Sequence, residues 1–347
     1  MLKASFYPYT LKFAFTARTS REVFHEKLTY ILKVSDGEKT GVGEVAVFPS
    51  LQPSFKDRKT FEKELQNVCD QIADIAEFGH LPENSAISFG VETALCDLFH
   101  GGTRLPFGVN DWNSGLKSLS INGLVWMSDI EEMERQIASK LESGFKCLKL
   151  KIGANNFDKE LELLSAIRQS FPENVLELRL DANGCFTATD VLNKLEQMSV
   201  YGIHSIEQPL PRNSESMKET IRYSPIPIAL DEDMIERWWC KDEMEEWLGN
   251  LSPAYIILKP SLVGGFGRAD NWIDAAKSLG IGWWATSALE SNIGLNAIAQ
   301  WLGSRNDAWN IRHGLGTGQI YVNNFDSPIF LNGENLGYSP SKKWSAL

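Results

Sequence analysis

The chain has no long apolar run, no basic stretch and no paired cysteines, and each gap removes a class of protein. No segment approaches the roughly 18 consecutive apolar residues of a membrane helix, so no membrane partner is expected. Acidic residues outnumber basic ones by 45 to 34 and are spread along the length, giving a net charge of -11. Without a cationic patch to neutralise a phosphate backbone, nucleic acid is not an expected partner either. Residues 1–15 interleave proline, tyrosine and lysine with apolar side chains and lack the apolar core and cleavage site of a secretion signal. The five cysteines (Cys69, Cys96, Cys147, Cys185, Cys240) are odd in number, far apart and without a CxxC pair, which argues against a disulfide framework or a zinc site. A cytoplasmic location is the expectation. No GxGxxG follows a first strand, and there is no low-complexity segment.

What is present is the composition of a folded globular chain, 43% hydrophobic and 23% charged over 347 residues. That length suits one α/β barrel, commonly about 250 residues, beside a smaller domain. Residues 6–47 read as strands with turns at Asp36-Gly37 and Gly41-Val42-Gly43, an antiparallel meander. Helical periodicity follows over 61–78 and 85–99, where Phe89, Val91, Ala94, Leu95 and Leu98 share a face. Residues 1–112 therefore read as an α+β capping domain. After Gly115 short apolar strands alternate with amphipathic helices, with strand candidates at 119–126, 147–152, 176–181, 205–207, 226–231, 255–259, 282–286 and 310–313. Eight parallel strands favour a closed (β/α) barrel, TIM-like, over 116–319. The tail, 320–347, reads as irregular and is expected to pack back on the first domain.

Five charged residues stand at the ends of five successive strands: Lys151, Asp181, Glu207, Asp231 and Lys259, separated by 30, 26, 24 and 28 positions. Each interval is one βα unit, and strand ends converge at the C-terminal mouth of a barrel, where active sites lie. Alternation sharpens the assignment, because residues i and i+2 of a strand share a face. Leu148, Leu150 and Ile152 form an outward apolar set, leaving Lys149 and Lys151 inward. Leu178 and Leu180 do the same for Asp181, Ile206 for Glu207, and Ile256 and Leu258 for Lys259. Ile228 and Leu230 place Asp231 inward and Glu232 outward. Glu177 and Arg179 show that inward charge can also be structural. Taken singly, each segment is more often a turn, a cap or a solvated edge; five in register make coincidence the minority reading.

Three inward carboxylates repel one another unless a cation lies between them. Oxygen ligation without nearby His or Cys favours Mg²⁺, which leaves positions open for substrate oxygens. Lysines beside such a site suit removal of a proton alpha to a carboxylate, since the resulting enediolate needs concentrated positive charge. The lysine acting as base must be neutral, and Lys149 next to Lys151 supplies a like-charge push in that direction. Lys259 is either a second base or an electrostatic partner.

The motifs Leu148-Lys149-Leu150-Lys151-Ile152-Gly153, Leu180-Asp181-Ala182-Asn183-Gly184, Ile206-Glu207-Gln208-Pro209-Leu210, Leu230-Asp231-Glu232 and Leu258-Lys259-Pro260 resemble those of the enolase superfamily, in its muconate-lactonising subgroup. Within the subgroup the chain looks most like the o-succinylbenzoate synthase family. Supporting stretches are Ala17-Arg18-Thr19-Ser20-Arg21, Gly43-Glu44-Val45-Ala46, Thr286-Ser287-Ala288-Leu289-Glu290-Ser291 and His313-Gly314-Leu315-Gly316-Thr317-Gly318. The resemblance implies a modified TIM barrel with an N-terminal cap and dehydration of a small cyclohexadiene carboxylate. It implies Lys151 as the base, Lys259 stabilising the enediolate, and Asp181, Glu207 and Asp231 on Mg²⁺. Asn183, Thr286, Ser287 and Gly316 are then supporting or substrate-facing residues, and the loops before Arg21 and around 43–53 form a lid. No His stands in 282–291, unlike mandelate-racemase-like members, and no Asp-x-Asp occupies 315–318, unlike dipeptide epimerases. An isomerase sharing the same lysines, either an N-succinylamino acid racemase or another member of the subgroup such as a cycloisomerase, is the alternative. A barrel retired from catalysis would have lost a lysine or a carboxylate, and none is missing. The five histidines, with His313 nearest the mouth, read as structural.

Overall fold

In the computed structural model residues 1–18 and 22–345 are described; positions 19–21 of the Ala17–Arg21 motif, with the loop leading to Arg21, lie outside them. The chain opens with three antiparallel strands, β1 (Lys3–Arg18), β2 (Val23–Ser35) and β3 (Thr40–Val45), in the order β1-β2-β3. Three helices follow: α1 (Arg58–Asp70), α2 (Ile72–Phe78) and α3 (Ser85–Phe99). Asp57 and Asn84 cap α1 and α3 by accepting from the backbone N–H of Thr60 and Ile87, satisfying donors that a helix start leaves open. The periodic stretch 61–78 is two helices, broken at Gln71.

The Gly41-Val42-Gly43 segment is not a turn. It lies inside β3, and a Cβ at Gly41 or Gly43 would fall 2.0 Å from the carbonyl oxygen of Ala94 or Gly90 in α3. These glycines let helix and strand backbones touch, a use that leaves the same sequence mark as a turn.

The barrel alternates β4 (Leu119–Ser120), β5 (Gly123–Val125), α4 (Ile130–Glu142), β6 (Cys147–Lys151), α5 (Phe157–Ser170), β7 (Glu177–Asp181), α6 (Val191–Ser199), β8 (Ser205–Glu207) and α7 (Met217–Tyr223). It continues with β9 (Ile228–Leu230), α8 (Lys241–Leu251), β10 (Tyr255–Leu258), α9 (Pro260–Val263), α10 (Phe266–Ser278), β11 (Gly282–Ala285) and α11 (Asn292–Gly303). Strands β5 to β11 form one parallel sheet in sequence order. Its outward residues, among them Leu148, Leu150, Leu178, Leu180, Ile206, Ile228, Leu230, Ile256 and Leu258, join the helices in one core. Each such side chain contributes about 1.5–3 kcal/mol by leaving water.

The eighth strand, expected at 310–313, is reduced to two residues. His313 bridges Ile121 and Gly314 bridges Thr286, both parallel, and these contacts join the two edges of the sheet. Four backbone bonds secure the seam: His313 N to Ser120 O (2.9 Å), Asn122 N to His313 O (2.9 Å), Gly314 N to Ala285 O (2.8 Å) and Ser287 N to Gly314 O (3.0 Å). The fold is a modified (β/α) barrel with an antiparallel N-terminal cap.

The tail is more ordered than its composition suggests. Tyr321 bridges Phe13, and Val322 N donates to Lys12 O at 2.9 Å, which ties this stretch to the cap. Beyond it β12 (Ile329–Asn332) and β13 (Asn335–Tyr338) form a hairpin that pairs with β4 on the barrel instead. Among the described residues no helix is long and apolar enough to cross a membrane.

Candidate active site

Strand β6 ends on Lys151, β7 on Asp181 and β8 on Glu207, while Asp231 and Lys259 follow β9 and β10 directly. The parallel register sets Lys151 beside Asp181 and Asp181 beside Glu207. All five side chains, with Lys149, are buried or nearly so, because the outward leucines and isoleucines of the same strands are locked against the helices.

The six charges form one network. Asp181 Oδ2 receives Lys149 Nζ at 2.9 Å and Lys151 Nζ at 3.0 Å. Lys149 also contacts Glu207, Lys259 contacts Asp231, and Lys259 Nζ lies 3.8 Å from Glu207 Oε1. Lys151 Nζ further donates to Asn183 Oδ1 at 2.7 Å. Asn183 adopts φ +46°, a left-handed value that asparagine tolerates, and its N–H donates to Asp181 Oδ1 at 3.1 Å. The like-charge push expected of Lys149 on Lys151 is met by a shared counter-ion, the Asp181 carboxylate.

Burial drives carboxyl groups towards their neutral form and ammonium groups likewise. Asp181 nevertheless lies well below the usual carboxylate range, since Lys149, Lys151 and Lys259 outweigh its burial. Glu207 is pushed up to about 8 by burial and by Asp181 and Asp231, against the pull of Lys149 and Lys259. Asp231 is raised by burial and Glu232 despite Lys259. Lys149 and Lys259, although buried, are held above the usual lysine range by the carboxylates around them.

The fit to a cation can be judged from these atoms. Glu207 Oε1 is buried and takes part in no hydrogen bond, the Lys259 ammonium facing it from 3.8 Å, beyond hydrogen-bond reach, so it keeps capacity for a closer cation. Among the described residues no group of three carboxylate, histidine or cysteine side chains is gathered to hold an ion as it stands; ammonium groups lie between the carboxylates. The donor set remains three acidic oxygen donors on adjacent strands with one orphaned oxygen, which suits a hard divalent ion.

These groups open into a cleft at the barrel mouth. Lys149, Lys151, Asp181, Asn183, Lys259, Thr286, Ser287 and Gly316 all line it, whereas Glu207 and Asp231 lie beneath. The hydroxyls of Thr286 and Ser287 already donate to Gly314 O (2.9 Å) and Glu290 Oε2 (2.5 Å). A Cβ at Gly316 would meet only ordinary contacts, at 3.7 Å or more, so the protein leaves that space to the cleft.

Glu232 corrects the outward assignment. Strand β9 stops at Leu230, and the 3-10 turn Glu232–Met234 carries Glu232 into the cleft wall, where its Oε1 accepts from Asn183 Nδ2 at 3.4 Å. Other wall residues escaped the sequence reading. Asn122, Leu124 and Trp126 line the cleft at a spacing of two, a signal that the alternation rule could have used. Glu22, Phe24, Phe48, Ser50 and Leu51 come from the cap, the last three from the 43–53 stretch expected as a lid.

A barrel whose mouth gathers lysines and carboxylates from successive strands defines a class, and residues 132–326 match the family described as enolase C-terminal domain-like; the chain belongs to it. Among individual proteins, it is 38% identical to the o-succinylbenzoate synthase of Desulfotalea psychrophila, over 93% of this chain and 95% of that one. The crystal structure of MenC from Desulfotalea psychrophila superposes with a TM-score of 0.83 at 34% identity, covering 97% of this chain and 99% of that one. The dipeptide epimerase of Enterococcus faecalis, solved with Mg and L-Leu-L-Tyr, gives a TM-score of 0.82 at 17% identity over 99% and 98% of the two chains, a likeness of fold alone.

Proposed function

We propose that the protein is an o-succinylbenzoate synthase, a Mg²⁺-dependent carbon–oxygen lyase of menaquinone biosynthesis acting in the cytoplasm on a small carboxylate. Its substrate is 2-succinyl-6-hydroxy-2,4-cyclohexadiene-1-carboxylate and its product o-succinylbenzoate. The observation that carries the reading is the placing of Lys151 and Lys259 on one cleft, from strands β6 and β10 with three strands between them. The 38% identity to an o-succinylbenzoate synthase supports it. The division into a cap (1–112, with parts of 320–347) and a barrel (116–319) belongs to the same proposal.

Lys151, in its neutral form, takes the proton alpha to the ring carboxylate. The electron pair left on carbon spreads into the carboxylate as an enediolate, and the Lys259 ammonium faces that charge. The hydroxyl on the neighbouring ring carbon then leaves with the proton returned by Lys151, forming water and the aromatic ring. Asn183 holds the base, its Oδ1 being 2.7 Å from Lys151 Nζ. Asp181, Glu207 and Asp231 are the residues that would hold Mg²⁺, whose charge, when bound, would stabilise the carboxylate anion. Phe24, Phe48, Leu51 and Leu289 give the cleft the apolar wall a ring requires and exclude water.

The test is ultraviolet-monitored dehydration by the purified protein with Mg²⁺ and with a chelator. Mg²⁺-dependent turnover is expected. Absence of turnover, with deuterium exchange into an N-succinylamino acid instead, would replace the reading with the racemase that shares the same lysines.

A further inference from the structure

Away from the lysines, a second buried polar cluster joins cap to barrel and centres on Leu289, in the loop after β11. Leu289 has φ +62°, a left-handed backbone uncommon for a residue with a side chain. Its side chain lines the cleft. Its carbonyl oxygen accepts two hydrogen bonds, from Lys27 Nζ at 2.9 Å and from the Tyr321 hydroxyl at 2.7 Å. Lys27 comes from cap strand β2 and Tyr321 from the segment after the barrel, and both are buried.

The flanking residues are tied just as firmly. Glu290 accepts from Ser287 Oγ (2.5 Å), from Ala288 N (2.8 Å) and from the Ser261 hydroxyl. The Ser291 N–H and hydroxyl donate to Glu44 of β3 at 3.0 and 2.6 Å. Burial lowers the Lys27 ammonium, while the Glu44 and Glu290 carboxylates support its charge. A cap lysine is thus buried between two carboxylates with one hydrogen bond to a barrel residue, the carbonyl of a strained residue in the cleft wall.

We infer that Lys27 is a positioning residue for substrate selection: together with Tyr321 it clamps the Leu289 carbonyl and fixes the left-handed turn that presents Ala288 and Leu289 to the substrate ring. This rests on reading the cleft as the substrate site.

The test is a double-mutant cycle of Lys27→Met and Leu289→Gly, followed by steady-state dehydration kinetics and by amide exchange of the free protein over residues 286–291. Glycine takes positive φ without strain, so Leu289→Gly removes the need for the clamp. Lys27→Met alone should raise KM about tenfold with kcat within about threefold and should speed exchange. In the Leu289→Gly background the same change should alter KM by less than about threefold. Unchanged KM and exchange, or an equal cost in both backgrounds, would overturn the clamp. Exchange needs no substrate, so a wild type that fails to dehydrate would refute the proposed reaction while exchange in the same cycle still decides on the clamp. Should Lys27→Met fail to fold, Tyr321→Phe, which removes only the second donor, carries the same prediction at about threefold in KM.

Discussion

The barrel holds two inward charge clusters, one at each end, and they are built differently. At the N-terminal end Glu177 receives Arg179 Nε at 2.7 Å and Arg312 Nη1 at 3.3 Å, and Arg179 Nη1 donates to Arg312 O at 2.9 Å. The Arg179 guanidinium lies 4.3 Å from the Trp284 ring centre, which covers it. Arg179, after burial is offset, helps hold Glu177 below the usual carboxylate range. At the C-terminal mouth the charges are more deeply buried than Glu177 and Arg312, Glu207 is pushed up to about 8 and one of its oxygens lacks a hydrogen bond. Each cluster keeps a buried atom without a hydrogen bond, Arg312 Nε in the first, 3.5 Å from Glu334 Oε2, and Glu207 Oε1 in the second; what separates them is that the second opens on a cleft lined by three lysines. Inward charge alone is therefore no sign of chemistry, whereas inward charge at strand C-termini that lines a cleft and includes a carboxyl pushed far from its ordinary range is.

The sharpest way to separate the two ends is to remove the base. Lys151→Ala should cut dehydration by roughly 10⁴-fold, the upper range for general base catalysis, with the melting curve showing a folded protein. Residual turnover within about tenfold of wild type would move the base elsewhere. Next in size is the metal. Chelation should abolish turnover, and Mg²⁺ restored at about a hundred times its Kd should add about 2.7 kcal/mol of stability. Glu207→Gln should lose that thermal response to Mg²⁺. A melting temperature indifferent to Mg²⁺ in the wild type would refute the assignment of the three carboxylates.

Much of the mouth was legible because β6 and β7 alternate strictly: the outward leucines at 148, 150, 178 and 180 announce which charges face in. Glu232 was misplaced because alternation holds only while a strand lasts, and β9 ends at Leu230. The hairpin β12–β13 carried a readable mark in Gly333-Glu334, the two-residue loop between paired Asn332 and Asn335 whose glycine takes φ +57°, hidden in a tail whose polar composition resembles a loop. Gly41 and Gly43 show the opposite failure, where one residue type serves two geometries. The φ of Leu289 and its partner Lys27, 262 positions away, leave no local pattern, because tertiary contacts alone hold them.

His313, in the seam joining the sheet edges, gives a smaller effect on stability. Its Nδ1 accepts from Ala285 N at 3.1 Å and its Nε2 lies 3.1 Å from Ala308 O, the pattern of a neutral ring donating to that carbonyl. Burial lowers its pKa from 6.5 to about 4. A depressed folded value means that the unfolded chain binds the proton first, so the stability is fully present above pH 6.5 and is lost as pH falls towards 4. The loss amounts to about 3 kcal/mol. Denaturation between pH 7 and pH 4 should show it, and His313→Asn, which keeps an acceptor for Ala285 N, should flatten that part of the curve; parallel curves would assign the pH dependence to other groups.

The smallest effect belongs to the N-terminal cluster and completes the contrast. Glu177→Gln keeps shape and removes charge, leaving Arg179 with the Arg312 carbonyl and the Trp284 face. The expected loss is about 1–2 kcal/mol of stability, the cost of weakening half-buried charged hydrogen bonds, with kcat and KM unchanged. A drop in kcat without a drop in melting temperature would show that the two ends of the barrel communicate, since Lys149 and Arg179 share paired positions on β6 and β7. Unchanged kinetics would confine chemistry to the mouth, because the same kind of substitution at Glu207 is expected to remove the response to Mg²⁺.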